Sequence, residues 1–176
     1  MSYKITAGLP ESALKSWLEE AMTKYGAYQG TAVNYTDADT APIVMCTVVC
    51  GDQILLVKRG FGMADAEGYW STVNGFIDEI KPVREIAGKE LQEELGLEIK
   101  PSEIIVGQSY TLQNPQEKRT YIVFPCLIRI GYKPEIVLNH EHTQFTWTTR
   151  ENLDSFQILD DLAYAIDSAL KLTAER

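Results

Sequence analysis

Residues 75–97, GFIDEIKPVREIAGKELQEELGL, pass from a glycine through a loop into a short acidic helix, and no other stretch limits the chain so strongly. Side chains three or four apart on a helix are neighbours, so Glu90, Glu93 and Glu94 crowd onto one turn. Like charges at that spacing cost about 0.2–0.5 kcal/mol per pair unless a cation lies among them. The cations suited to clustered oxygens are Mg²⁺, Ca²⁺ and Mn²⁺, which makes a metal-dependent phosphate site the expectation. Val83, Ile86, Ala87, Leu91 and Leu95 follow helical spacing and predict a core face, with the acidic cluster pointing the other way. Pro82 suits the first turn and Gly96 the end. Gly88, at about 1 kcal/mol against Ala in a helix interior, predicts close packing on a sheet.

The rest of the chain narrows the partners. With 176 residues there is room for one domain with a sizeable core. A formal net charge of −9 repels an extended polyanion and argues against a protein that grips nucleic acid along its backbone. Small phosphorylated substrates remain, provided metal ions neutralise them. No run approaches the roughly 20 apolar residues of a membrane span, and the opening MSYKITAGLPESALK lacks the apolar core of a secretory signal. Cys46, Cys50 and Cys126 lie in or beside apolar runs without C-x-x-C spacing, which predicts buried reduced thiols and a cytoplasmic location.

Residues 9–25 place Leu14, Trp17, Leu18, Ala21, Met22 and Tyr25 on one stripe, an N-terminal amphipathic helix closed by Gly26. The polar stretch QGTAVNYTDADTAP reads as a connector. IVMCTVVC (43–50) and QILLVKR (53–59) flank Gly51-Asp52 and predict a hairpin, followed by a glycine-containing loop (60–68) and a short strand YWSTV (69–73). EIIVGQSYTL (103–112), RTYIVFPCLIRI (119–130) and QFTWT (144–148) read as strands, and residues 155–173 as a C-terminal packing helix. The class is α/β, helices covering a mostly antiparallel or mixed sheet. A helical extension over 1–38 and a main domain over 39–176 is the expected division.

Residues 75–97 resemble the box of the Nudix hydrolases, G-x5-E-x7-R-E-U-x-E-E-x-G-U with U a bulky aliphatic. Gly75, Glu90, Leu91, Glu93, Glu94, Gly96 and Leu97 fall on seven of its nine specified positions; Lys81 stands where the family has Glu and Lys89 where it has Arg. YWSTVNG resembles the family's W-x-x-P-G-G entry to the box, and HEHTQFTW followed by TTRENL is similar to its closing segment. The resemblance covers roughly residues 40–172. It implies an α/β/α sandwich and hydrolysis of a nucleoside diphosphate linked to another group, with Mg²⁺ or Mn²⁺ on the box glutamates.

Carried over by position, Glu90 and Glu94 are the first metal-ligand candidates and Glu93 the third, direct or through water. Glu93, or Glu141 on the loop before the closing strand, is the candidate general base. Arg59, Phe61 and Tyr110 are candidates for substrate contact, the last two for base stacking. His140 and His142 read as loop histidines that tune or orient rather than a zinc site, and Trp70 and Trp147 as packing residues. Lys81, Glu85, Lys89 and Glu93, spaced by four, form a possible ladder of weak pairs; Asp78 or Glu79 is the other acceptor open to Lys89. Lysine lacks the planar fork of arginine, so two readings stand: a hydrolase of a small nucleotide diphosphate such as a nucleotide sugar, an ADP-ribose-like compound or a nucleoside triphosphate, and a catalytically weak or inactive nucleotide-binding module. A homodimer is a further option that the family leaves open.

Overall fold

The computed structural model describes residues 4–60, 66–114, 118–159 and 161–172. In chain order the elements are β1 (Lys4–Ala7), α1 (Glu11–Tyr25), β2 (Ala27–Tyr28), β3 (Ala32–Val33), β4 (Thr40–Cys50), β5 (Gln53–Arg59), β6 (Trp70–Ser71), β7 (Val73–Phe76), α2 (Val83–Leu95), β8 (Ile104–Val106), β9 (Tyr110–Asn114), β10 (Arg119–Ile130), β11 (His142–Thr149) and α3 (Leu162–Leu170). The two longest strands, β4 and β10, pair in parallel from Thr40↔Thr120 to Cys50↔Ile130. Parallel strands are covered on both faces and so read as near-continuous apolar runs, which is how both segments read. Around this pair the sheet takes the order β1-β9-β10-β4-β5-β11, every other pairing being antiparallel.

Alternation along β4 divides the core into two layers. Val44, Cys46 and Val48 face one side, where they pack with Leu14 and Leu18 of α1 and Ile86, Leu91 and Leu95 of α2. Met45 faces the other, with Leu162, Ala165 and Ile166 of α3. The result is an α/β/α sandwich on a mixed sheet. The three cysteines are free, Cys46 and Cys126 buried and Cys50 half-buried.

The predicted hairpin exists only at its tip. β4 and β5 pair at Val49↔Ile54 and Cys50↔Gln53, around Gly51 at φ 62°. Below the tip they separate: β7 pairs with Ile43–Cys46 of β4, and β6 pairs with Val57 and Lys58 of β5. The YWSTVNGF segment thus crosses from one arm to the other, and residue 75 is delivered to the gap between them.

Other expectations need correction. The single strand over 103–112 is two strands. β8 pairs with Cys126–Ile128 and β9 with Arg119–Val123, so three residues, 107–109, stand opposite two. The bulge falls at Pro125, which has no N–H to give a ladder; its carbonyl accepts from Gly107 N at 2.8 Å. The C-terminal helix is shorter than its apolar stripe, because Gln157 and Ile158 are held extended along β6 by the Trp70 N–H to Gln157 carbonyl bond of 2.8 Å. The polar connector contributes β3 and the start of β4, and buries Val33, Tyr35 and Ala38. Among the described residues no helix is long and apolar enough to cross a membrane.

Candidate active site

α2 ends as its sequence predicts: Gly96 takes a left-handed φ of 67° and its N–H returns to the Gln92 carbonyl. The acidic cluster does not point wholly away from the core, as the helical pattern suggests. Glu93 is exposed, but Glu90 is half-buried and Glu94 is only 2% exposed. Beneath α2 at this point lie Gly75 of β7 and His142 of β11, and each takes one carboxylate.

Each inward glutamate has its own seat. Glu90 lies across Gly75 of β7: a Cβ at residue 75 would sit 2.6 Å from Glu90 Cγ and closer still to Cδ. Only a residue without a side chain leaves that seat open. Glu94 shares a 2.5 Å hydrogen bond between its Oε2 and Nε2 of His142, itself 8% exposed. A bulge between His142 and Gln144 interrupts the β11–β5 register there, a device that re-aims a side chain. Among the described residues His142 Nδ1 has no hydrogen-bond partner.

Glu141 precedes this histidine. Its backbone oxygen accepts from Gly60 N at 2.7 Å, its N–H donates to Asn139 Oδ1 at 3.0 Å, and Asn139 Nδ2 donates to its Oε1 at 3.3 Å. Arg59 stands opposite His142 on β5, and its charge favours the ionised form of Glu94. The chain therefore brings Glu90, Glu93, Glu94, Glu141 and Arg59 to one place. Tyr110 is elsewhere: it is 5% exposed in the α3 layer and meets Tyr164 edge to face at 4.9 Å between ring centroids. That burial away from the acidic cluster leaves its ring no open face for a base. Phe61 lies outside the described residues. Trp70 packs edge-on against Phe156 at 5.4 Å.

Lys81 and Lys89 have one partner in common. Glu79 accepts from Lys81 Nζ at 2.6 Å and from Lys89 Nζ at 3.3 Å, tying the loop before α2 to the helix. The ion pairs run to this loop residue rather than down an i,i+4 ladder.

The electrostatics describe a site short of positive charge. Burial, then the charges of Glu94 and Glu93, pushes the Glu90 carboxyl up to about 8. Burial also raises Glu94, against the opposing pull of His142. The thiol of Cys46, hydrogen-bonded to Cys126 and buried, is pushed up as well, in part by the charges of Glu94 and Glu90. Clustered carboxylates held from water and repelling one another match the donor chemistry of a hard divalent cation. Among the described residues no group of three His, Cys, Asp or Glu forms a ready-made metal cage. Mg²⁺ does not require one, since it keeps several waters and binds through one or two carboxylates plus substrate phosphates.

A model of the NUDIX domain matches residues 39–168. No curated protein matches the sequence. Among solved structures, the MutT NUDIX hydrolase from Burkholderia pseudomallei superposes with a TM-score of 0.63 at 18% identity, over 73% of this chain and 97% of the other. The NUDIX domain of Shewanella oneidensis NrtR, complexed with ADP ribose, gives 0.62 at 14%, over 73% and 85%. A C. elegans Ap4A hydrolase gives 0.55 at 14%, over 74% and 94%.

Proposed function

The chain belongs to the NUDIX domain family, and on that premise we propose that it is a metal-dependent pyrophosphohydrolase cleaving the diphosphate linkage of a small nucleoside diphosphate derivative. The observation that carries the reading is the seating of two box glutamates against the sheet, Glu90 over Gly75 and Glu94 on His142, with Glu93 on the same turn. A helix that used its glutamates only for solubility would leave them in water.

Glu90 and Glu94 are one turn apart and would hold Mg²⁺ or Mn²⁺, with Glu93 joining directly or through water. Such an ion, when bound, neutralises phosphate charge and helps align the attacking and leaving oxygens. His142 fixes the direction of the Glu94 carboxylate, as partners of metal ligands do. Arg59, whose charge acts on Glu94, takes a phosphate oxygen. Glu141 or Glu93 accepts the proton of the attacking water. Asn139 favours Glu141 for this task, because it holds that carboxylate at 3.3 Å from the side. The overall charge of −9 restricts the substrate to small molecules.

A second reading, a nucleotide-binding module that cuts poorly, is favoured by one observation: the loop is tied to the helix by lysines on Glu79 and not by arginine. A panel of nucleotide sugars, ADP-ribose, dinucleoside polyphosphates and nucleoside triphosphates separates the two. Release of a mononucleotide in Mg²⁺ or Mn²⁺ supports the hydrolase. Tight binding of a panel member without any cleavage supports the module.

A further inference from the structure

The residues that brace the loop between β7 and α2 come from a part of the chain that precedes the matched family stretch of 39–168. Glu11, the first residue of α1, accepts the Val83 N–H through Oε1 at 3.1 Å. Val83 opens α2, and the residue before it is Pro82, whose side chain has no acceptor and makes no cap. The first N–H groups of a helix have no partner within the helix, and a carboxylate there meets both the open donors and the positive end of the dipole. Glu11 therefore supplies from another helix the cap that α2 does not supply for itself.

Three more contacts run the same way. Tyr35 O–H donates to the Ile77 carbonyl at 2.6 Å, the Val33 N–H donates to the Asp78 carbonyl at 2.8 Å, and Ala32 forms a β-bridge with Glu79. Residues 77, 78, 79 and 83 are thus each held by a residue between 11 and 35. The held segment is the one that carries Glu79, on which both lysines converge, and that leads into Glu90, Glu93 and Glu94.

We propose that residues 11–35 position α2 for its metal-holding task, with Glu11 and Tyr35 as positioning residues. This rests on the metal-dependent reading above. Neither side chain reaches the acidic cluster, so both act through the loop and the first turn of α2. Leu14, Leu18 and Ala21 are buried against α2 and the sheet, so α1 stays docked when Glu11 is changed.

The test uses the full chain, with Glu11→Ala, Glu11→Gln and Tyr35→Phe, and reads amide hydrogen exchange over residues 77–86 together with Mn²⁺ affinity from the spectrum of the free ion. Glu11→Ala should speed exchange at Val83 and weaken Mn²⁺ binding about fivefold, the order expected for a lost helix cap. Glu11→Gln keeps the acceptor and should recover most of both, while Tyr35→Phe should speed exchange around Ile77 and weaken Mn²⁺ binding similarly. Unchanged exchange in Glu11→Ala overturns the bracing. Faster exchange with unchanged Mn²⁺ affinity overturns the positioning role and leaves a structural contact. A wild-type chain that binds no Mn²⁺ removes the metal reading instead, and exchange at Val83 then decides the bracing alone.

Discussion

Changing Gly75 to alanine adds one methyl group, and that group would overlap the carboxylate arm of Glu90. The overlapped atoms are the far end of a flexible side chain, so the carboxylate moves aside at little cost to the fold. Gly75→Ala is therefore expected to bind Mn²⁺ more weakly while unfolding at nearly the same urea concentration; Mn²⁺ affinity equal to wild type would mean that Glu90 does not depend on this seat. His142→Ala removes the hydrogen-bonding partner of a carboxylate that is 2% exposed. Mn²⁺ affinity should fall about 10–100-fold, the usual effect of losing a partner of a metal ligand, and titration of the free ion would measure it. Glu90, Glu93, Glu94 and Gly75 were legible in the sequence because their spacing along one helix and its loop is fixed by covalent geometry. The bond from Glu94 to His142 was not, since it joins residues 48 apart through a bulge that no local pattern announces. The place of Tyr110 in the α3 layer is not legible for a related reason: whether an aromatic on a strand faces one layer or the other depends on register, and the bulge at Pro125 changes it.

At the scale of the element, α2 has two faces with different sensitivities. Leu91 is fully buried and packs with α1 and β4, so Leu91→Ala should cost about 2–5 kcal/mol in urea denaturation. Gln92, exposed on the next position, should change stability by less than about 0.5 kcal/mol when made alanine. Similar losses at the two positions would contradict the placement of the helix. The ends of α2 were legible from Pro82 and Gly96, and the strands from their apolar runs. The opening of the β4–β5 hairpin was not legible, because a two-residue turn flanked by apolar runs carries no sign that other strands will enter between its arms. That opening admits β7, whose Gly75 seats Glu90.

Over the whole molecule, α1 and α2 share one core layer and β1 closes one edge of the sheet on β9. Unfolding followed by far-ultraviolet circular dichroism and by tryptophan fluorescence, to which Trp17 of α1 contributes, should give coincident transitions. Separate transitions would show that the first 38 residues fold apart from the rest. With a formal charge of −9 the chain depends on a bound cation to neutralise a phosphorylated substrate, so turnover should vanish when a chelator removes divalent metal and return when Mg²⁺ or Mn²⁺ is restored. The α/β/α architecture and the family were readable from seven matched box positions; the role of residues 11–35 was not, because its contacts are made across the fold. The most direct measurement is steady-state release of mononucleotide at saturating Mg²⁺ by wild type and by Glu94→Gln, which keeps the shape of the side chain and removes its charge. Turnover at least about 100-fold lower in Glu94→Gln, with the variant still folded, is the predicted result, and turnover equal to wild type would contradict the metal-holding role of α2.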